Sequence, residues 1–189
     1  MSTSDSTRFR ALACGGALLV AFGLAGATSA HAATRTDCPN ADVALTAGNT
    51  DDVRAAVLCL INADRTQRRL TPLRESTKLR SAAVAHSSDM VRNGYFAHTA
   101  PNGDTFVDRI LDARYTTRSQ NWSLGENLAW GTGDLGTARG VQTAWMRSSG
   151  HRANILKPSY RELGIGVRTG VPSDATVGAT FTTDFGVKG

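Results

Sequence analysis

Hydrophobic residues recur every three or four positions in four stretches of the chain. This spacing places them on one face of an α-helix, so the pattern predicts four amphipathic helices. The positions on these four faces are, in chain order, Val53, Val57, Leu60, Ile61 and Asp64; Leu79, Ala82, Ala83, His86 and Met90; Phe106 and Ile110; and Val141, Ala144, Trp145 and Ser148.

Capping and helix-breaking residues predict where the helices begin and end. The predicted N-caps are one of residues 49–51 for the first helix, Asp104 for the third and Thr137 for the fourth. The predicted ends are residues 70–72, 93–94, about 114 and 150. His151 therefore follows the fourth helix directly, beside a second short helical turn.

Alternation of apolar and polar residues predicts strands in the second half of the chain. Residues 124–130 are expected to form a short strand or an extended segment bounded by glycines, and residues 162–168 and 176–185 alternate on either side of a Gly-Val-Pro-Ser-Asp turn. The last two runs are predicted to pair as an antiparallel hairpin. The fold class is therefore α+β, with about four helices around a small, mostly antiparallel sheet.

The N-terminal pattern predicts a secretory signal peptide. Arg8 and Arg10 precede an apolar run over residues 11–27, and residues 30–32 read Ala-His-Ala, a small-residue cleavage site. We expect a signal peptide over residues 1–32, an arm over 33–50 and one domain over 51–189, in a secreted, extracellular protein. No transmembrane segment is expected in the mature chain, and export without a twin arginine favours the general secretory route.

Composition and charge narrow the class of protein. A chain of 189 residues with 41% hydrophobic content fits one globular domain. Without residues 1–32 it keeps 19 basic and 15 acidic residues, a net charge of +4. The arginines are scattered and form no basic stripe with interleaved aromatics, so nucleic acid is not an expected partner. A soluble monomer whose surface meets anionic wall or membrane polymers is expected.

Two cysteines remain in the predicted mature chain, Cys38 and Cys59. An even pair in an oxidising compartment predicts one disulfide that ties the arm to the first helix. A loop of this size contributes about 3 kcal/mol to stability when the bond is unstrained. Two free, buried thiols are the alternative.

Seven short motifs occur in a fixed order along the chain. They are NADR (62–65), AHSSDM (85–90), YFAHTAPNG (95–103), GENLAWG (125–131), AWMRSSGHRANIL (144–156), LGIGV (163–167) and DFG (184–186). In order and spacing they resemble the CAP superfamily of cysteine-rich secretory, antigen 5 and pathogenesis-related proteins, in its compact bacterial secreted branch. The resemblance implies an α-β-α sandwich, an extracellular location and a cavity lined by histidines and acids.

The resemblance also assigns cavity residues. His98 in FAH and His151 in GHR match the two cavity histidines of the family, and Glu126 in GEN matches its first cavity glutamate. Ser148 stands where the family usually has a second glutamate, so this chain departs from the pattern and lacks the carboxylate pair. His86, on the apolar face of its helix, is expected to be a buried histidine or an outer-shell cavity residue.

Two histidines and one glutamate in a cleft form a candidate metal site. Two imidazoles and one carboxylate on zinc, or on another divalent cation, leave a fourth position for water, as in hydrolytic zinc sites. His98, Glu126 and His151 come from separate elements, so their spacing alone does not define such a site. The alternative is that Glu126 pairs with a histidine or with backbone amides and only holds the fold.

Other side chains suggest weaker chemistry. Ser148 or Ser149 beside His151 suggests a serine nucleophile, but no G-x-S-x-G elbow is present and serines at helix ends usually cap. Asp108 and Arg109 are expected to form a structural ion pair. Trp122, in a polar loop, is expected to be exposed and available to lipid or sugar.

Two classes of function remain at this point. The first is a secreted module that binds a divalent metal or a small ligand such as a lipid or cell-wall component, without established catalysis. The second is a metal-dependent extracellular hydrolase, peptidase-like, that uses His98, His151 and Glu126. The first is favoured because the missing second acid removes a catalytic group and because a fold alone does not define a reaction.

Overall fold

The computed structural model describes residues 37–173 and 177–189. The predicted signal peptide, the first four residues of the predicted arm and Thr176, where the last strand was expected to begin, lie outside the described residues. Within the described ranges, no helix combines the length and the apolar character needed to cross a membrane.

Five α-helices and four strands are formed by the described residues. In chain order they are α1 Thr50–Thr66, β1 Arg74–Glu75, α2 Thr77–Asn93, α3 Phe106–Asp112, β2 Trp122–Gly131, a 3₁₀ helix Gly133–Gly136, α4 Ala138–Arg147, α5 Ser149–Ile155, β3 Glu162–Thr169 and β4 Ala179–Lys188. The fifth helix, α5, lies where a short helical turn was expected after the fourth helix.

The four strands form one mixed sheet in the order β1-β3-β4-β2. β3 and β4 pair antiparallel, which confirms the predicted hairpin, and β2 pairs antiparallel with the other side of β4. β1 was not predicted. Its two residues, Arg74 and Glu75, pair in parallel with Glu162 and Leu163.

Helices cover both faces of this sheet. One face of β3 and β4 packs with α1 and α4 in a core that includes Ile165, Phe181 and the fully buried Trp145. The other face packs with α2 and α3, where Leu79 and Ile110 are fully buried. The predicted fold class, an α-β-α sandwich of the α+β class, is confirmed.

Two glycines of β3 bring α2 close to the sheet. A Cβ atom at Gly164 would lie 2.1 Å from the carbonyl carbon of Leu79, and one at Gly166 would lie 2.2 Å from the carbonyl oxygen of Ala83. The large residues of LGIGV therefore face the core that contains α1. The two glycines face the other way and allow the backbone of α2 to lie directly against the strand.

Two predicted helix boundaries are wrong. Thr105, and not Asp104, is the N-cap of α3, because its hydroxyl accepts a hydrogen bond from the amide of Asp108 while the Asp108 side chain accepts from the amide of Thr105. α4 ends at Arg147, and Gly150 lies inside α5 instead of closing α4.

The arm is fastened to the domain at two places. Cys38 and Cys59 form the predicted disulfide, with their Cα atoms 5.7 Å apart, so the alternative of two free thiols is wrong. The amide of Arg139 donates to the carbonyl of Ala41, and its Nε donates to Asp42 at 2.7 Å. These contacts hold the arm against α1 and α4.

Arg65, in the NADR motif, ties α1 to the end of α5. Its side chain is fully buried, Nη1 donates to the carbonyl of Ile155 at 2.7 Å, and Nε donates to the carbonyl of Thr71 at 2.9 Å. Because a buried guanidinium needs several acceptors, this cluster of carbonyls fixes where α5 ends. His151 lies on that helix.

Candidate cavity site at His98 and Glu126

Glu126 lies on β2 with its side chain only 1% exposed. Its Oε1 accepts a hydrogen bond from Nδ1 of His98 at 2.7 Å, and its Oε2 accepts from Nη2 of Arg109 at 2.7 Å. His98 itself lies in the loop between α2 and α3, and 54% of its side chain is exposed. The pair therefore joins a buried carboxylate to an imidazole that reaches solvent.

Arg109 belongs to this site, although its sequence position predicted an ion pair with Asp108. The predicted ion pair with Asp108 is wrong, because Asp108 is engaged by Thr105 and by Arg118, whose Nη2 lies 2.7 Å from Asp108 Oδ1. Arg109 donates instead to Glu126 and to the carbonyl of His98, at 2.7 and 3.0 Å. The Thr-x-x-Asp spacing of the capping box was the available signal that Asp108 was already occupied.

Asp184, in the DFG motif, is the second acid next to Glu126. The two residues are directly opposite in the β2–β4 register, and Asp184 is 1% exposed. Burial, followed by the negative charge of Glu126, raises the pKa of Asp184 well above its ordinary range. The neutral, protonated form of Asp184 is therefore favoured beside Glu126, and its buried Oδ1 has no hydrogen-bond partner among the described residues.

His86 lies behind the loop that carries His98. It is 1% exposed on α2, and its Nε2–H donates to the carbonyl of Ala97 at 2.9 Å. Burial is the main cause that lowers its pKa, so the ring is neutral near pH 7. This contact with Ala97, the residue before His98, holds the loop against α2.

His151 lies in the first turn of α5, and α5 is attached to β2. Asn127 on β2 donates to the carbonyl of His151 at 3.0 Å, and Asn154 donates to the carbonyl of Glu126 at 3.1 Å. Burial lowers the pKa of His151, and the positive charge of protonated His98 lowers it further. The two histidines therefore lie close enough to influence each other electrostatically.

The structure places the other named residues as follows. Ser148 is half-buried at the junction of α4 and α5, and neither it nor Ser149 forms a hydrogen bond with His151. Trp122 begins β2 with 36% exposure, and its Nε1 donates to the carbonyl of Thr117.

Within residues 37–173 and 177–189, no group of three or more His, Cys, Asp or Glu side chains is arranged to hold a metal ion.

An α-β-α sandwich with a histidine–glutamate pair at the end strand defines the class of this protein. The chain belongs to the CAP family, described as the cysteine-rich secretory protein family, and residues 58–182 match it.

Two relatives come from Bacillus subtilis. The uncharacterized protein YkwD of Bacillus subtilis is 36% identical over 110 residues, which is 58% of this chain and 40% of YkwD. The uncharacterized membrane protein YlbC of the same organism is 31% identical over 111 residues, 59% of this chain and 30% of YlbC. The chain therefore spans well under half the length of these curated relatives.

Two solved structures share the fold. An extracellular protein containing an SCP domain from Bacillus anthracis superposes with a TM-score of 0.58 at 26% identity, over 75% of this chain and 43% of that one. An outer surface protein of Borrelia burgdorferi superposes with a TM-score of 0.62 at 21% identity, over 74% of this chain and 96% of that one. Both neighbours are named as extracellular or surface proteins.

Proposed function

We propose that this protein is a secreted CAP-domain binding protein whose cavity holds a divalent cation, zinc first among them, through the imidazoles of His98 and His151. The hydrogen bond from His98 Nδ1 to Glu126 carries the proposal. It leaves the Nε2 lone pair of a half-exposed imidazole free, in the carboxylate–histidine arrangement that orients zinc ligands.

The donor set fits a cation bound by two imidazoles, with Glu126 in the outer shell. Both carboxylate oxygens of Glu126 already accept hydrogen bonds, from His98 and Arg109, so this residue orients His98 and is not itself a free ligand. The lowered pKa of His151 keeps its ring in the neutral form that binds metal. A bound cation would supply a Lewis-acidic anchor for an anionic or carbonyl group of a ligand.

The hydrogen bonds and the protonation of the acidic residues near His98 favour a binding function over hydrolysis. Glu126 is tied to Arg109 and His98, the raised pKa of the buried Asp184 favours its neutral form, and Ser148 stands where a second glutamate would lie. None of these groups is placed to act as a general base on a water molecule. The metal-dependent hydrolase is therefore the second candidate, and no observation specifically favours it.

Export to the outside of the cell is part of the proposal. It is supported by the N-terminal charge and hydrophobicity pattern of residues 1–32, by the Cys38–Cys59 disulfide, and by the extracellular protein among the structural neighbours.

Zinc titration calorimetry on residues 33–189 at neutral pH tests the cation site. We expect one zinc per chain, binding lost in His98→Ala and in His151→Ala, and affinity about 10- to 100-fold weaker in Glu126→Gln, whose amide no longer orients His98 as a carboxylate does. Asp52→Asn, an exposed acid on α1, is the matched control and should bind like the wild type. Zinc binding indifferent to both histidines, or absent, would sink the proposal.

A further inference from the structure

A concave site lies at the end of the β2–β4 pair that is far from Glu126. Trp122 and Lys188 are paired there, four positions from the Glu126–Asp184 pair, or about 13 Å along the strands. The groove beside them has a volume of about 470 Å³. Its polar lining comprises the cations Lys78, Arg114 and Lys188 and the side chains of Thr116, Thr117 and Gln120.

The cations of this groove are not neutralised by acids. Lys78 and Arg114 are exposed, and neither side chain forms a hydrogen bond or ion pair with any residue that the structure describes. No aspartate or glutamate in the described ranges lines the groove, and a carboxylate at Gly189 would still leave its lining with a net charge of +2. Three cations around one concave surface repel one another, which an anion would relieve.

Lys188 is held in place to receive such an anion. Its Nζ donates to the carbonyl of Tyr115 at 2.9 Å and lies 4.5 Å from the centre of the Tyr115 ring. The ammonium is therefore preorganised, while the Arg114 guanidinium offers the planar pair of donors that suits a phosphate group.

Trp122 adds a partly exposed aromatic side chain next to the groove. Its indole is partly exposed, its strand partner is Lys188, and its Nε1 donates to the carbonyl of Thr117, a groove residue. An aromatic face beside cationic donors suits a ligand that alternates phosphate groups with the C–H faces of sugar or polyol units.

We propose that this groove binds a segment of a phosphodiester-linked sugar or polyol polymer. The phosphate lies between Lys78, Arg114 and Lys188, and the adjoining sugar or polyol packs on Trp122. A concave groove of this volume suits one repeat of a chain, whereas a lipid surface would need a flat or convex cationic face. The site is separate from the proposed cation site and does not depend on it.

The test is fluorescence anisotropy with a labelled synthetic glycerol phosphate oligomer, at low and at physiological salt. We expect the wild type to bind, with affinity falling as salt rises. The double variant Lys78→Gln/Arg114→Gln should lose about tenfold in affinity, and Trp122→Ala several-fold, on the scale of two weak ion pairs and one packing contact. Arg168→Gln, which removes an exposed arginine at the far end of β3, is the matched control and should bind normally.

Two comparison ligands show which chemical features of the polymer the groove recognises. An unphosphorylated oligosaccharide should bind much more weakly than the oligomer, and phosphatidylglycerol vesicles should not compete with it. Absence of wild-type binding, equal loss in Arg168→Gln and in the double variant, or preference for the vesicles would each overturn the proposal. His98→Ala should bind the oligomer normally even if it loses zinc, which separates this site from the cavity.

Discussion

Glu126 carries its charge where almost no water reaches it, and three side chains make this arrangement stable. Arg109 neutralises one oxygen, His98 donates to the other, and Asp184, whose raised pKa favours its neutral form, lies opposite on β4. A buried charge with fewer partners would cost several kcal/mol of stability. The network therefore has a positioning role: it orients the exposed imidazole of His98.

Asp184→Asn tests the protonation state within this network. Because the pKa of Asp184 is raised in the folded protein, the unfolded chain loses this proton first as the pH rises above about 4. Wild-type stability therefore falls above that pH, until the folded protein also releases the proton. Asparagine keeps a neutral donor and removes this loss, so the variant should be more stable at pH 7, by about 2–4 °C in Tm per kcal/mol gained.

Thermal unfolding of the two proteins from pH 3 to pH 8 measures this difference. The Tm values should converge at the acid end, where position 184 is uncharged in both proteins and in both states. A variant that is less stable than the wild type at pH 7 would mean that Asp184 is ionised and that its charge is needed.

At the scale of elements, the contact between α2 and β3 depends on backbone lying against backbone. The glycines of LGIGV allow it, and Ser87 on α2 adds a hydrogen bond to Thr182 on β4 at 2.8 Å. α2 also carries His86, which supports the loop of His98 through Ala97. The position of the exposed imidazole thus follows from how closely α2 approaches the sheet.

Gly164→Ala should destabilise the protein strongly. Its new methyl group would overlap the backbone of Leu79, which cannot move without shifting the whole helix, so we expect a loss of about 3 kcal/mol. Urea unfolding monitored by circular dichroism measures this loss.

Gly150→Ala is the matched control for that substitution. A Cβ atom at Gly150 meets no other atom within 4 Å, and alanine suits a helix better, so this variant should be unchanged or stabilised by up to about 1 kcal/mol. Similar losses in both variants would show that close packing at Gly164 is not the cause.

At the scale of the whole molecule, the disulfide joins the arm to the larger of the two cores. Cys38 is buried, and its partner Cys59 packs against the cluster that contains Val53, Leu60 and Trp145. The cross-link restricts the unfolded chain, and the arm also contacts α4 through Arg139.

The double variant Cys38→Ser/Cys59→Ser should lose about 3 kcal/mol of stability, or roughly 10 °C in Tm, while keeping the same fold. Differential scanning calorimetry measures the change, and wild-type protein unfolded in a reducing agent should match the variant. An unchanged Tm would mean that the Arg139 contacts alone hold the arm.

Local patterns in the sequence were enough to predict most of the elements and the fold class. Helical periodicity is a local property, so it located α1 to α4, and alternation located β2, β3 and β4. Gly150 and Asp104 were misassigned because a glycine or an aspartate near a helix end is compatible with several boundary positions, and packing decides among them. The cysteine pair followed from counting.

Which side chains surround Glu126 depends on the tertiary structure. Arg109 and Glu126 lie 17 residues apart on different elements, and Asp184 faces Glu126 only in one register of β2 and β4. A shift of one residue in that register would turn Asp184 away, because side chains alternate between the faces of a sheet. Such contacts depend on the strand register and on packing across the sheet. A local pattern of hydrophobic and polar residues does not specify either of them.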